Sequence, residues 1–357
     1  MNLATLLLLL SVSAGAQSGP VPVAGSVVRS KEWVVRRGKS KEEEFIGDVR
    51  YDSAGARLTA DWALYRHAED DWRARGNIHA RKEFADGVVI ETAGETAGYD
   101  QPTQKGTLAP AKGGRVRLLR STPLREPDHG EGDFLSWAGE RSFVLTGRAR
   151  GWGPSGEFWA GTADYALAPT RSLTLTGDRP LLHVHDDGAD AALNAERIHD
   201  IESPRRADAD GRVLGWVLTQ STMTRAGDPP RCVRGTRAGS PGPDAAVTAL
   251  LAPPESGARD DFKFWQAEEA AFAARACPWG PRVEFWADRA RYEELPDRRL
   301  TLDGGQAALR KRDDDWSTAL KADHFVATGY PRRITAQGKV RGWLQFKDEE
   351  KYERSAK

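Results

Sequence analysis

The chain has 357 residues, with 52 basic and 52 acidic side chains and a formal net charge of zero. That balance argues against a nucleic-acid binder or a polybasic membrane-surface protein, since each needs a surplus of Lys and Arg on one face. Apolar residues make up 39% and there are two cysteines: a lean core beside the usual roughly 45–50%, and too few thiols for a disulfide framework or a four-Cys zinc site.

Residues 1–16, MNLATLLLLLSVSAGA, combine a short apolar run with the small-x-small pattern of Ala14-Gly15-Ala16. This predicts a signal peptide cleaved after Ala16 and a chain exported to the periplasm. The run is too short for a transmembrane helix, which needs about 20 apolar residues. Residues 17–41 form an N-terminal segment before the first repeating region.

From 42 to 220, and again from 282 to 345, short patterns recur. Four heptapeptides end in glycine: RSFVLTG at Gly147, RSLTLTG at Gly177, RRLTLDG at Gly304 and RRITAQG at Gly338. A second pattern reads LTADWALY from Leu58, FWAGTADY from Phe158 and FWADRARY from Phe285. Its last position recurs at Tyr65, Tyr99, Tyr165, Asp200, Tyr292 and Ala327, in steps of 34, 66, 35, 92 and 35 residues. Alternating Thr, Val, Tyr and Trp between Gly, Pro and Asp turns predicts an all-β meander of hairpins of about 34 residues, not helices. By polarity, Trp159, Ala163 and Tyr165 share an inward face, as do Trp286, Ala290 and Tyr292. The copy at 58 is ambiguous between its two faces, and a single bulge would reverse any such assignment.

Residues 221–281 break the pattern and are rich in Gly, Pro, Ala and Arg. Asp261 to Ala276 within this insertion predicts a short helix. Cys232 and Cys277 lie inside it too; outside the cytoplasm they form either one disulfide or two buried thiols. Residues 346–357 read as a charged, frayed tail.

The motifs Phe45-Ile46-Gly47-Asp48-Val49, Leu58 to Tyr65, Arg75-Gly76-Asn77-Ile78-His79 and Asp86-Gly87-Val88-Val89-Ile90, with Tyr99-Asp100 and the later copies, resemble the OstA-like family of periplasmic lipopolysaccharide-transport bridge proteins. The resemblance implies an elongated open antiparallel β-jellyroll, a taco-like fold of one or two units. Acyl chains of lipopolysaccharide or a lipid A-like amphiphile would lie in the groove between its two sheets. Units would stack by edge-strand pairing with other lipopolysaccharide-transport jellyrolls, or with copies of the same chain, in a bridge between the two membranes. The groove-lining positions would be Ala63, Tyr65, Tyr99, Trp159, Ala163, Tyr165, Trp286, Ala290 and Tyr292, with Arg289 and Arg291 at the rim near phosphates. No cofactor is implied. The chain departs from the family's bridge proteins in being about twice as long and in carrying the insertion.

His183-Val184-His185-Asp186 offers two His on one strand face, but lacks a third zinc ligand at fixed spacing and reads as a polar hairpin end. Asp61, Asp164, Asp288 and Asp323 include three at related repeat positions, which favours a structural role over a carboxylate pair for glycoside hydrolysis. No G-x-S-x-G elbow, P-loop or dinucleotide fingerprint occurs. The expected function is therefore non-enzymatic lipid carriage. The alternatives are an exported glycan-binding or carbohydrate-active β-protein, with Trp stacking on sugars, and a structural envelope scaffold.

Overall fold

A computed structural model describes residues 27–219 and 282–346, apart from short turns at 39, 54, 84–86, 124–125, 139–141, 155, 167–169, 187–188, 203, 295–297, 313–315 and 330–332. The expected signal peptide, the helix at 261–276, both cysteines and residues 347–357 lie outside the described residues. Among the described residues every regular element is a β-strand and every pairing is antiparallel. The chain divides into two compact units, one ending at Thr176 and one beginning at Gly177.

The first unit contains β1 (Val27–Arg29), β2 (Glu32–Arg37), β3 (Lys41–Ser53), β4 (Ala56–Arg66), β5 (Asp71–Glu83), β6 (Val89–Asp100) and β7 (Lys105–Ala109). It continues with β8 (Val116–Ser121), β9 (Asp128–Gly132), β10 (Phe134–Ala138), β11 (Ser142–Gly153), β12 (Gly156–Ala166) and β13 (Ser172–Thr176). The long strands β3, β4, β5 and β6 pair in order as a meander. Beside β6 the place of one long strand is taken by two short ones: β7 pairs with Thr96–Asp100 and β8 with Val89–Ala93. β10 and β9 follow in the same way, and β11 spans both.

Of the heptapeptide glycines, Gly177 and Gly338 directly follow the last residue of a strand, as the sequence pattern suggests, whereas Gly147 and Gly304 lie inside strands. Gly147 lies within β11, at a point where register slips: Thr146 faces Thr162, and pairing resumes at Ala149 opposite Ala160. Gly47-Asp48 does the same in β3, two residues opposing Asp61 alone, and Gly76-Asn77 does so in β5. Each is a β-bulge, which bends its strand. Both bulge residues have positive φ, for example 71° at Gly147 and 49° at Arg148. Glycine is selected here because a Cβ is strained in that region.

The bends lie at one level across the sheet, so each rung has two halves. In the first unit the halves pack on each other: an added Cβ on Gly130 or Gly132 would lie 3.4 or 3.3 Å from the Leu145 side chain on the other half. Leu135 and Val116 are fully buried between them.

The second unit contains β14 (Leu181–Asp186), β15 (Ala189–Asn194), β16 (Arg197–Ile201), β17 (Arg206–Thr219), β18 (Arg282–Glu293), β19 (Arg299–Arg312), β20 (Trp316–Thr328), β21 (Arg333–Gln337) and β22 (Arg341–Phe346). β15 and β16 pair with successive halves of β17, and β17 pairs with β18 from Leu218↔Arg282 to Arg206↔Glu293. The insertion therefore leaves and rejoins the sheet between neighbouring strands. β18, β19 and β20 continue the meander, and β21 and β22 pair with the two halves of β20. Gly211-Arg212 in β17 and Gly304 in β19 sit at register slips equivalent to those of the first unit.

Candidate functional site

Two transverse rows of side chains run along one face of the first unit. The outer row passes through Tyr65, Trp72, Tyr99, Gly106, Trp137, Phe143 and Tyr165, each a direct register partner of the next. The inner row, next to the bend, passes through Ala63, Ala74, Ala97, Leu108, Leu135, Leu145 and Ala163. Aromatics thus form a belt in front of a band of small and aliphatic side chains. Tyr65 stacks on Trp72 with centroids 4.7 Å apart, and Phe143 lies tilted against Tyr165 at 5.0 Å. Gly106 is required in the belt, because any Cβ there would fall inside the Trp137 ring.

At the N-terminal end of this face a narrow cleft opens between the two halves. One wall is Val28, Val49, Tyr51 and Leu58; the other is Ala63, Trp72, Arg73, Ala74, Ala97, Gly98 and Tyr99. Its empty space is about 420 Å³, open solvent at the mouth included. Towards β9 and β11 the interior is closed by Leu145 against the two glycines.

Polar groups gather at the belt. Tyr65 Oη donates to Asp70 Oδ1 at 2.7 Å, and His67 Nε2 lies 3.0 Å from Glu43 Oε1. Burial, then the bond to Asp70, raises the Tyr65 pKa above its usual range. Burial first, with the Asp100 and Asp70 charges, pushes Tyr99 up to about 12. Tyr99 is 2% exposed and Trp72 7%. Neither Tyr99 Oη nor Trp72 Nε1 has a hydrogen-bond partner among the described residues.

Of the nine sequence-predicted positions, Ala63 and Tyr99 line this cleft, and Tyr65 packs on its Trp72 wall. Ala163 and Tyr165 continue the same two rows on β12. In the second unit Ala290 and Tyr292 hold the corresponding rows, Ala290 beside Ala209 and Leu302, Tyr292 beside Ala207 and Leu300. The periodic mark read from the sequence holds: Asp200, Ala207, Tyr292, Leu300 and Ala327 form one row.

Trp159 and Trp286 lie on the other face. In β4 the buried positions are Leu58 and Ala60, then Ala63 and Tyr65, with two residues between Ala60 and Ala63. The same step separates Ala160 from Ala163 and Ala287 from Ala290. A strand facing a bulge turns there and loses strict alternation, so a single face read through positions 159–165 or 286–292 crosses sides at the bend. The Arg150 guanidinium sits over Trp152 at 4.7 Å and over Trp159 at 5.5 Å, and Arg310 sits 5.4 Å over Trp286. Arg289 and Arg291 alternate with Ala290 and Tyr292 and also face away; Arg291 Nε donates to Asp208 at 2.7 Å. His183 is fully buried in β14 beside Trp216, with ring centroids 5.7 Å apart, and not at a solvated hairpin tip. Trp72, Trp137 and Phe143, which complete the belt, stand outside the repeated octapeptides; Trp72 and Phe143 are direct partners of marked Tyr residues, and Trp137 is the partner of Phe143.

No protein-family model and no curated protein matches the chain.

Proposed function

We propose that this chain is a non-enzymatic carrier for an amphiphile, lipopolysaccharide or a lipid A-like molecule. In this reading its bent strands form an open jellyroll whose two layers shelter acyl chains. The observation that supports it is the apolar cleft between two halves of the same strands, bordered by an aromatic belt. Each methylene withdrawn from water contributes about 0.8 kcal/mol, so a lined slot is sufficient to extract a chain without chemistry. Aromatic side chains with one polar tip suit the boundary between such a slot and water.

The edge strands fit the same reading. Among the described residues β1 and β2 pair only with β3, and β21 and β22 only with β20. These edges carry Trp33, 48% exposed, and Ile334, 45% exposed. Unpaired edges with apolar side chains favour strand addition to a like partner or a second copy. Export to the periplasm, suggested by residues 1–16, would set the carrier between two membranes.

A photo-crosslinking residue in place of Tyr99, or at Tyr165 or Tyr292, tests the assignment. Labelling of lipopolysaccharide from these positions, and not from exposed Arg171, is expected. Equal labelling from Arg171 contradicts it. The outward Trp152 and Trp159 beside Arg150 favour one rival, glycan binding; capture of a lipid-free polysaccharide with no acyl ligand would support that rival.

A further inference from the structure

Antiparallel sheets commonly leave one face to water. The second unit does not. Four consecutive residues of β18, Glu284 to Ala287, are buried, as are Val213 to Trp216 of β17 and Ala307 to Arg310 of β19. Successive side chains of a strand point to opposite faces, so both faces are covered at this level. Phe285, Ala287 and Leu309 take the inner side, and Trp286 takes the outer one. Register carries the outer side across the sheet in two rows. One runs His183, Ala192, Trp216, Glu284, Arg310, Ala319. In the other, Trp286 lies between Leu214 and Ala308. Every one of these side chains is buried.

The equivalent side of the first unit is wet and charged. Arg57 and Thr59 of β4 stand where Glu284 and Trp286 stand in β18, and their partners on β5 are Arg81 and His79. The Arg57 side chain is 53% exposed and that of His79 48%. Arg310 and Glu284, by contrast, are paired with side chains only 3% and 4% exposed. An ion pair on the outside of a sheet is that dry only beneath another layer of protein.

The face is buried in the single chain, so its cover belongs to that chain. Every described strand of the second unit is a member of the bent sheet itself, and none of them lies across its outer side. Residues 220–281 fit by position. They leave after Thr219 and return at Arg282, at the ends of two middle strands, where Leu218 pairs with Arg282. The first unit has neither such an insertion nor such a face. They fit by composition too: Phe262, Phe264, Trp265 and Phe272, set among alanines, match Trp216, Trp286 and Leu214 in apolar character. The helix expected over 261–276 would be about 24 Å long. The strands β14, β15, β17, β18, β19 and β20, which carry the face, are together about 24 Å across.

We infer that residues 220–281 pack on the outer side of the second unit, with the apolar residues between Phe262 and Phe272 over the Trp216 and Trp286 rows. A helix laid on a sheet buries the apolar face of both. Trp216 and Trp286 are then out of reach of a soluble glycan or a partner protein. The assignment stands apart from the carrier reading, which concerns the first unit's cleft.

A diazirine lysine in place of Lys321, the register partner of Ala308, tests the occupant in the full-length protein. Irradiation in dilute solution is expected to give a product of monomer mass whose cross-linked peptide lies within 220–281. The same group in place of Arg81, on the first unit's outer side, should reach no peptide of 220–281. Cross-links from position 321 only to a second copy, or only to peptides outside 220–281, overturn the assignment. Thiol accessibility gives an independent readout. Ala319→Cys, with Cys232→Ser and Cys277→Ser, should be alkylated at least about tenfold more slowly than His79→Cys in the same background, since reaction waits on local opening. Adding Trp265→Asp and Phe272→Asp should raise the Ala319→Cys rate by about tenfold while circular dichroism keeps its sheet signal. Equal rates for Ala319→Cys and His79→Cys overturn the packing, as does a slow Ala319→Cys rate that the two Asp substitutions leave unchanged. Should the Asp pair unfold the chain, the cross-link on the otherwise native sequence decides.

Discussion

The backbone amide of Asp133 donates to the carbonyl of Gly147 at 3.0 Å, and its carboxylate occupies the space a Gly147 side chain would need. The same pair of relationships joins Glu196 to Gly211. The carboxylates of Asp61, Asp288 and Asp323 likewise occupy the space a side chain would need at Gly76, Gly304 and Gly338. At three of these positions the residue after the glycine answers the cap in charge: Arg148 bonds Asp133 at 2.7 Å, Arg212 bonds Glu196 at 2.9 Å, and Asp48, in the first copy, bonds Lys31 at 2.6 Å. An acid on one strand and a glycine on the next thus mark the line along which the sheet bends.

Gly147→Ala should be destabilising by about 1–3 kcal/mol, because the new Cβ meets both a positive φ and an Asp133 oxygen 2.6 Å away. Urea unfolding should show a lower midpoint at unchanged slope. A midpoint within error of the native protein would mean that the bend is not held by this cap.

The buried pair in the second unit predicts an asymmetric mutational response. Arg310 Nε donates to Glu284 Oε2 at 2.5 Å, and both side chains are almost wholly buried. Arg310→Met alone should cost about 3–5 kcal/mol, since it leaves a carboxylate in the sheet without its guanidinium. Adding Glu284→Leu should recover most of that loss. Chemical denaturation of the two variants compares them directly.

Asp200 takes the belt position that Tyr holds elsewhere, and burial raises its pKa to about 6, with Glu202 adding to the effect and Arg205 opposing it. A carboxyl whose folded pKa exceeds its unfolded value, about 3.9, binds its proton more tightly in the native state. Its contribution therefore favours the fold below the unfolded pKa and is lost as pH rises from about 4 to about 6. Asp200→Asn should raise the melting temperature at pH 7.5, by an amount corresponding to at most about 3 kcal/mol, and should flatten stability across that window. Asp208 runs the other way: its burial is outweighed by bonds from Arg291 and Arg206, so its pKa is lowered and its stabilisation fades only as pH falls below the ordinary carboxylate range. Equal pH profiles for the native protein and Asp200→Asn would show that Asp200 is not buried as a neutral acid.

Much of this architecture is legible in the residues. The heptapeptide glycines Gly147 and Gly304 are bulge positions, while Gly177 and Gly338 follow strand ends; the Asp of Ala287-Asp288 and Ala322-Asp323 packs on Gly304 and Gly338, as that of Ala60-Asp61 packs on Gly76. The periodic Tyr mark fell on true transverse rows because strand register carries equivalent positions to equivalent depth. The full strand length was not legible: a Gly in a strand pattern reads as a stop, whereas these glycines let a strand of 12 or 14 residues, β11 or β19, bend and continue. The depth of Trp159 and Trp286 was hidden for the same reason, since the phase of alternation changes at a bend that pairing alone reveals. Trp72 and Tyr99 as bare donors depend on what lies beside them in space, which spacing does not encode.

The most direct measurement is lipid extraction and native mass spectrometry of the protein exported to the periplasm of a Gram-negative host. The account predicts a stoichiometric acylated lipid on the native chain, lost on filling the cleft with Ala97→Trp while the fold is kept. A native protein that carries no acyl lipid and takes none up from added lipopolysaccharide would contradict it.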